Sequence, residues 1–176
     1  MKKYQIIYAD PPWEWKTYSA KGRKKTADRH YPLMALGAIS ELPIENLSAE
    51  NCALFMWTQD AHLKNAIALG ESWGFTYKSV AFVWDKQNFG MGYWTRKGAE
   101  ICLLFTKGHP HRKSAGVRQF ISEKATEHSV KPAEVRDRIV QLMGDIPRIE
   151  LFARQKTEGW DACGNEIESD ILLSGG

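Results

Sequence analysis

Four consecutive residues, Asp10-Pro11-Pro12-Trp13, combine the side chains and backbone groups that could do chemistry. Asp10 supplies a charged acceptor. Prolines fix φ and donate no N–H, so they stop a strand ladder and hold the next loop in one shape. The carbonyls of Asp10 and Pro11 are left to accept from a ligand, and Trp13 adds a flat apolar face. Acceptors beside a stacking face are what an exocyclic amine on a planar base requires. A rigid strand-to-loop turn, with Asp10 capping the next segment, is the competing reading of the same residues.

Four other groups carry charge or aromatic surface at telling places. Lys131 stands where a helix is expected to begin, and a helix N-terminus favours anions. A cation there makes sense with an anion between them, such as a ligand carboxylate; the alternative is an exposed lysine stem. Tyr93, Trp94 and Arg96 lie in a Gly-rich stretch and could hold a flipped base and its phosphate, or Trp94 could pack in the core. Residues 16–29 hold Lys16, Lys21, Arg23, Lys24, Lys25 and Arg29 against the single acid Asp28, with Trp15, Tyr18 and Tyr31 nearby. Such a loop suits phosphate contacts and base stacking, or is simply solvated. A second basic stretch runs through His109, His111, Arg112, Lys113 and Arg118.

Several chemistries find no support. Gly90-Met91-Gly92 does not follow a strand as a dinucleotide loop would, and there is no G-K-[ST] phosphate loop. No Ser/Cys-His-Asp arrangement points to covalent catalysis. His109 and His111 flank a proline with no third ligand beside them, so no metal is expected.

The elements that must position these groups alternate between strand and helix. Tyr4–Tyr8 reads as a buried strand ending at Asp10. A short helix over 35–42 precedes a strand over 53–57. Asp60 is placed as N-cap of a helix over 61–73, with Leu63, Ala66, Ile67 and Leu69 as its stripe and Gly74 as its stop. Strands follow over 75–84 and 101–105, separated by a loop over 86–99. A short strand over 117–121 and a loop over 124–130 lead to a helix from Lys131-Pro132 through Met143. Residues 148–153 form a strand, 159–167 a turn and helix start, and the tail from 170 is expected to fray. Such alternation argues for an α/β sheet of mostly parallel strands, with ligands beyond their carboxyl ends.

At 176 residues, 43% hydrophobic, 26% charged and net charge +3, this is a single globular domain over 1–169. No apolar run reaches membrane-spanning length and none resembles a signal sequence. Cys52, Cys102 and Cys163 lack metal-like spacing and read as reduced thiols, which points to the cytoplasm.

Asp10-Pro11-Pro12-Trp13 resembles the catalytic tetrapeptide of amino-methyltransferases that modify N6 of adenine, and the wider chain is similar to the MT-A70 family. The resemblance includes His30-Tyr31-Pro32, Phe55-Met56-Trp57, Trp73-Gly74-Phe75 and Gly90-Met91-Gly92-Tyr93-Trp94-Thr95-Arg96. It continues through Glu100, His128, Lys131-Pro132, Glu150-Leu151-Phe152-Ala153-Arg154 and Gly164-Asn165, over about residues 4–167. It implies a Rossmann-like methyltransferase fold, with a mixed, mostly parallel sheet flanked by helices and the catalytic strand ahead of the cofactor strand. It implies S-adenosylmethionine as cofactor, bound by Asp10, Lys131, Phe152, Arg154, Asn165 and Glu166. Lys131 would contact the methionine part, Phe152 would pack near the adenosine, and Arg154 and Asn165 would bond ribose hydroxyls. The family commonly has glutamine where Glu166 stands, although a carboxylate also accepts from a hydroxyl. Longer members carry a further cofactor-contacting segment upstream, so part of the adenine pocket is unassigned.

The expected activity is methyl transfer to N6 of adenine in nucleic acid, DNA before RNA. Asp10, Pro11, Pro12 and Trp13 are the catalytic set, and Lys21, Arg23, Lys24, Lys25, Tyr31, Tyr93, Trp94 and Arg96 the substrate set. The rival readings are a non-catalytic nucleic-acid-binding partner subunit of the same fold, and methylation of cytosine N4 or a small planar amine. No separate target-recognition domain fits the length, so recognition falls to loops 14–34 and 86–99 of a monomer or homodimer, or to a partner chain.

Overall fold

The computed structural model describes residues 2–13, 36–126 and 130–173. Within them the strands are β1 (Tyr4–Ala9), β2 (Ser48–Thr58), β3 (Thr76–Gly90), β4 (Lys97–Lys107), β5 (Phe120–Ser122), β6 (Arg148–Leu151) and β7 (Asp161–Cys163). The helices are α1 (Leu36–Ser40), α2 (Ile44–Leu47), α3 (Leu63–Ser72) and α4 (Glu134–Met143), with a 3₁₀ turn over Asp60–His62.

All seven strands form one sheet in the order β5-β3-β4-β2-β1-β6-β7. Strand β4 runs antiparallel to its neighbours β2 and β3, and every other pairing is parallel. This is the mixed, mostly parallel sheet expected of a Rossmann-like methyltransferase.

Both faces of the sheet are covered, which explains why the central strands read as continuous apolar runs. Side chains alternate between two cores. Ile7, Ala9, Leu54 and Met56 point to the core that α3 covers with Ala66 and Leu69. Ile6, Tyr8, Phe55 and Trp57 point to the other, covered by Val135, Ile139 and Met143 of α4.

Several boundaries differ from expectation, each for a local reason. Residues 86–99 are mostly not loop: β3 runs on to Gly90 and pairs with Lys97, leaving only 91–96 as the hairpin tip. The ribbon is irregular between Asp85 and Gly90, where Gln87 takes φ 54° and its N–H donates to Asp85 Oδ1 at 3.0 Å. Asp60 does not cap α3; its Oδ1 accepts from Ala61 N–H and opens the 3₁₀ turn, while the cap position falls to His62. Leu63 is exposed, so the α3 stripe rests on Ala66 and Leu69 with Ile67 beside them. Gly74 takes φ 85° just past α3, the stop its lack of a Cβ allows.

Lys131 lies three residues ahead of α4, in a turn where Val135 N–H reaches the Pro132 carbonyl. Strand β6 ends at Leu151, because Phe152 turns away with φ 59°. The expected helix start over 159–167 is instead the edge strand β7, too short to show a period in sequence. Asp170 secures that edge: its N–H donates to the Ala162 carbonyl and its Oδ2 accepts from Ala162 N–H, both at 2.8 Å. Ile171 and Leu173 then pack against the α3-side core.

Candidate active site

Strand β1 lies between β2 and β6, and Ala9 is level with Leu151. The chain therefore leaves β1 at Asp10 directly beside where it leaves β6 at Phe152. A cavity of about 570 Å³ opens there, within the ~300–1,000 Å³ typical of small-molecule sites. Asp10, Pro12, Lys131, Phe152, Arg154, Asn165 and Glu166 all line it. The sequence-expected acid and the sequence-expected cofactor residues, far apart in the chain, thus share one wall.

The wall's backbone is tightly built. Phe152 is a non-glycine residue in the left-handed region, a conformation costing roughly 1–3 kcal/mol that clusters at functional sites. The reversal carries Ala153 against the end of β7, where Ala153 N–H donates to the Cys163 carbonyl at 3.0 Å. A Cβ on Gly164 would lie 2.0 Å from the Ala153 carbonyl oxygen, so only glycine fits. Ser169 Oγ bonds both the N–H and the carbonyl of Gly164, fixing the turn that presents Asn165 and Glu166 at the cavity rim.

Asp10 sits in a chain of alternating charges. Lys131 Nζ is 3.0 Å from Asp10 Oδ2 and 3.0 Å from Glu100 Oε2, and Lys86 Nζ is 2.8 Å from Glu100 Oε1. The Lys131 ammonium also lies 5.7 Å from the Trp57 ring centroid. Burial pushes the Asp10 carboxyl above its ordinary range, Lys131 and Arg154 pull it back, and Glu100 adds to the rise. Burial would also raise Glu100, but Lys131 and Lys86 outweigh it and hold Glu100 low. Lys131 itself is disfavoured by burial, yet its two carboxylates keep it charged with a raised pKa. The anions beside Lys131 are thus two of the protein's own, where the sequence suggested a ligand carboxylate.

The rest of the tetrapeptide is more enclosed than expected. Pro11 is buried, and its carbonyl already accepts from Trp13 N–H at 2.9 Å, leaving one lone pair for a ligand. Trp13 does not line the cavity. It is 7% exposed, its Nε1–H points to the Trp57 carbonyl at 3.3 Å, and its ring stacks on His62 at 5.8 Å between centroids. Trp13 clamps the turn from the core side. Trp57 Nε1–H in turn donates to Tyr8 Oη at 2.6 Å beneath Asp10.

The expected substrate residues fall elsewhere. Tyr93 and Trp94 are 85% and 90% exposed at the hairpin tip, which rules out core packing for Trp94. Arg96 is at the same tip, with Nη1 3.2 Å from Met91 Sδ. Lys21, Arg23, Lys24, Lys25 and Tyr31, with the rest of 14–35, lie outside the described residues, as does His128.

Sequence reasoning gave no role to Glu100, Lys86 or Arg136. The signal for Glu100 was present: a carboxylate entering the apolar strand 101–105 needs a buried cation. Nothing in sequence paired it with Lys131.

The donor set suits a nucleoside bearing a charged tail. Phe152 offers an apolar surface, Asn165, Glu166 and Arg154 offer hydroxyl-binding groups, and Asp10, Lys131 and Arg136 add both signs of charge.

Comparison with known proteins agrees. The MT-A70 family matches residues 4–166. The chain is 40% identical, over 97% of its length and 81% of the relative's, to "Type II methyltransferase M.MunI" of a Mycoplasma species. It is 25% identical to "N(6)-adenine-specific methyltransferase METTL4" of Homo sapiens over 94% of its own length, spanning 38% of that longer protein. The mouse METTL4 matches at the same identity. With its acid, cavity and sheet in this arrangement, the chain belongs to the MT-A70 family of methyltransferases.

Proposed function

We infer that this enzyme transfers a methyl group from S-adenosylmethionine to N6 of adenine in nucleic acid, DNA before RNA. The observation that carries the reading is the shared cavity at the neighbouring ends of β1 and β6, lined by Asp10 together with Arg154, Asn165 and Glu166. The human relative is named for N(6)-adenine methylation and the Mycoplasma relative as a type II methyltransferase, which favours DNA.

S-adenosylmethionine, when bound, supplies a methyl group activated by its sulfonium. The protein's residues do the rest. Asp10 accepts a hydrogen bond from the adenine amino group, helped by the remaining lone pair of the Pro11 carbonyl. This draws the nitrogen lone pair out of ring conjugation and aims it at the methyl. Asp10, its carboxyl raised by burial, would receive the proton that the amine sheds on methylation. Lys131 holds the carboxylate in place throughout. Such catalysis rests on alignment and preorganised acceptors. Arg154, Asn165, Glu166 and Phe152 hold the nucleoside, and Trp13 positions the turn.

Nucleic acid is assigned to the exposed Tyr93, Trp94 and Arg96 and to the basic stretch holding Lys21, Arg23, Lys24, Lys25 and Tyr31. Target selection comes from these segments or from a second chain. Among the described residues no helix is long and apolar enough to cross a membrane. Cys52, Cys102 and Cys163 are free thiols, which supports a cytoplasmic enzyme.

The test is a reaction with methyl-labelled cofactor on DNA and on RNA, digested to nucleosides and identified by mass. Label in N6-methyladenosine's deoxy form is expected. Label in N4-methylcytosine, or none in either polymer, would replace this reading with the cytosine or partner-subunit alternative.

A further inference from the structure

The cavity wall contains a charged pair that methyl transfer at Asp10 leaves unused. Arg136 on α4 grips Glu150 on β6 through two parallel hydrogen bonds of 2.7 Å, Nε to Oε2 and Nη2 to Oε1. Its guanidinium also lies 5.5 Å from the Tyr8 ring centroid. Arg136 is 8% exposed and Glu150 7%, and both line the cavity. A buried ion pair is a poor device for stability alone, since apolar residues of similar volume often do as well or better. A ligand that uses the pair is the better account of its place in the wall.

Three observations say which part of the ligand. Arginine has five N–H donors, and the hydrogen bonds of Arg136 among the described residues use only Nε and Nη2. The two donors on Nη1 remain for a further acceptor.

Next, Tyr8 pairs with Glu150 across β1 and β6, and Asp10 follows two residues after Tyr8. Asp10 is the first residue past β1, and Asp10, Arg136 and Glu150 all line the cavity. The Arg136–Glu150 pair, level with Tyr8, therefore lies two residues back from Asp10, about 6.6 Å at the rise of a strand. Beyond the sulfonium, the methionine arm of S-adenosylmethionine is two methylenes and an α-carbon, ending in a carboxylate. An arm of that length spans from the level of Asp10 to the level of Arg136.

Finally, Lys131, which meets Asp10 directly, already touches two protein carboxylates. Arg136 is bound to one.

We propose that Arg136 binds the α-carboxylate of the cofactor through Nη1, with Glu150 holding the guanidinium plane in position. The proposal rests on the S-adenosylmethionine reading and refines it. It makes the amino-acid tail a determinant of affinity at a residue outside the motifs that carry the family resemblance.

Calorimetry on the full chain tests it with two nucleoside thioethers. S-adenosylhomocysteine carries the amino-acid tail; methylthioadenosine has the same nucleoside without it. The unaltered chain should prefer the first. Arg136→Gln should weaken S-adenosylhomocysteine roughly 10- to 100-fold, the worth of a charge-assisted hydrogen bond, and leave methylthioadenosine within about twofold. Arg136→Lys should restore part of the loss.

Because Arg136→Gln strands a buried Glu150, a second variant combines Arg136→Met with Glu150→Leu, keeping the volume and removing both charges. It should bind both nucleosides with nearly equal affinity. Equal weakening of both ligands, or a preserved preference for the tailed one in the double variant, would overturn the role of Arg136. An unaltered chain that binds neither nucleoside would overturn the cofactor reading itself, and the proposal with it.

Discussion

Asp10 can be tested without dismantling its surroundings. Replacing it by asparagine removes the charged acceptor but leaves Lys131 paired with Glu100 at 3.0 Å, so no buried cation is stranded. We expect Asp10→Asn to lower kcat by about 10²–10⁴, the range for removing an acid–base group. Calorimetry should show S-adenosylhomocysteine affinity within a few-fold. Full turnover in this variant would end the assignment.

The ionisation of Asp10 gives a second prediction. Its carboxyl is raised by burial and must be charged to accept, so activity should fall as pH drops through a value above the ordinary ~3.9. Lys131 opposes that rise. Lys131→Met should therefore move the acid limb of kcat/KM to still higher pH; a limb that stays put would show Lys131 to be uninvolved. At this scale the sequence revealed the acid and the lysine by type and place. It could not reveal that they touch, because 121 positions separate them and only the tertiary fold closes the gap. For the same reason the partners of Glu100 and Arg136 could not be read from sequence.

Among the elements, the turn after β7 is the one whose geometry admits a sharp test. Gly164→Ala would put a methyl 2.0 Å from the Ala153 carbonyl oxygen, a clash with backbone that no rotamer relieves. A drop of about 1–3 kcal/mol in chemical denaturation is expected, together with weakened nucleoside binding, because the displaced Ala153 sits between Phe152 and Arg154. Unchanged stability and binding would mean that the two strand ends can separate freely.

The central strands were legible because burial on both faces leaves long apolar runs. Strand β7 was not, since three residues carry no periodicity and its pairing is with a strand ten positions earlier in the chain. The hairpin differs from expectation because Gly and Asn signal turns, whereas here Asn88 and Gly90 lie within the paired ribbon.

Seen whole, the molecule divides its work along one sheet edge. The cavity occupies the β1–β6–β7 side, while the β3–β4 hairpin leaves the sheet on the other side of β2. Nucleic acid bound through the basic stretch should obey counterion release. Neutralising Lys21, Lys24 and Lys25 to glutamine should reduce the slope of log affinity against log salt by about 0.9 for each duplex phosphate that the protein no longer neutralises. A slope unchanged within error would assign phosphate binding elsewhere.

The same layout gives the hairpin leverage over the acid. Lys86 and Glu100 stand at the root of the ribbon whose far end bears Tyr93 and Trp94. Through Lys131 they set the electrostatic field at Asp10. A longer Glu100–Lys131 separation would alter the charge beside Asp10 and so how strongly the carboxylate attracts a proton. Four side chains, Lys86, Glu100, Lys131 and Asp10, thus form one continuous line of ion pairs from the ribbon's root to the acid.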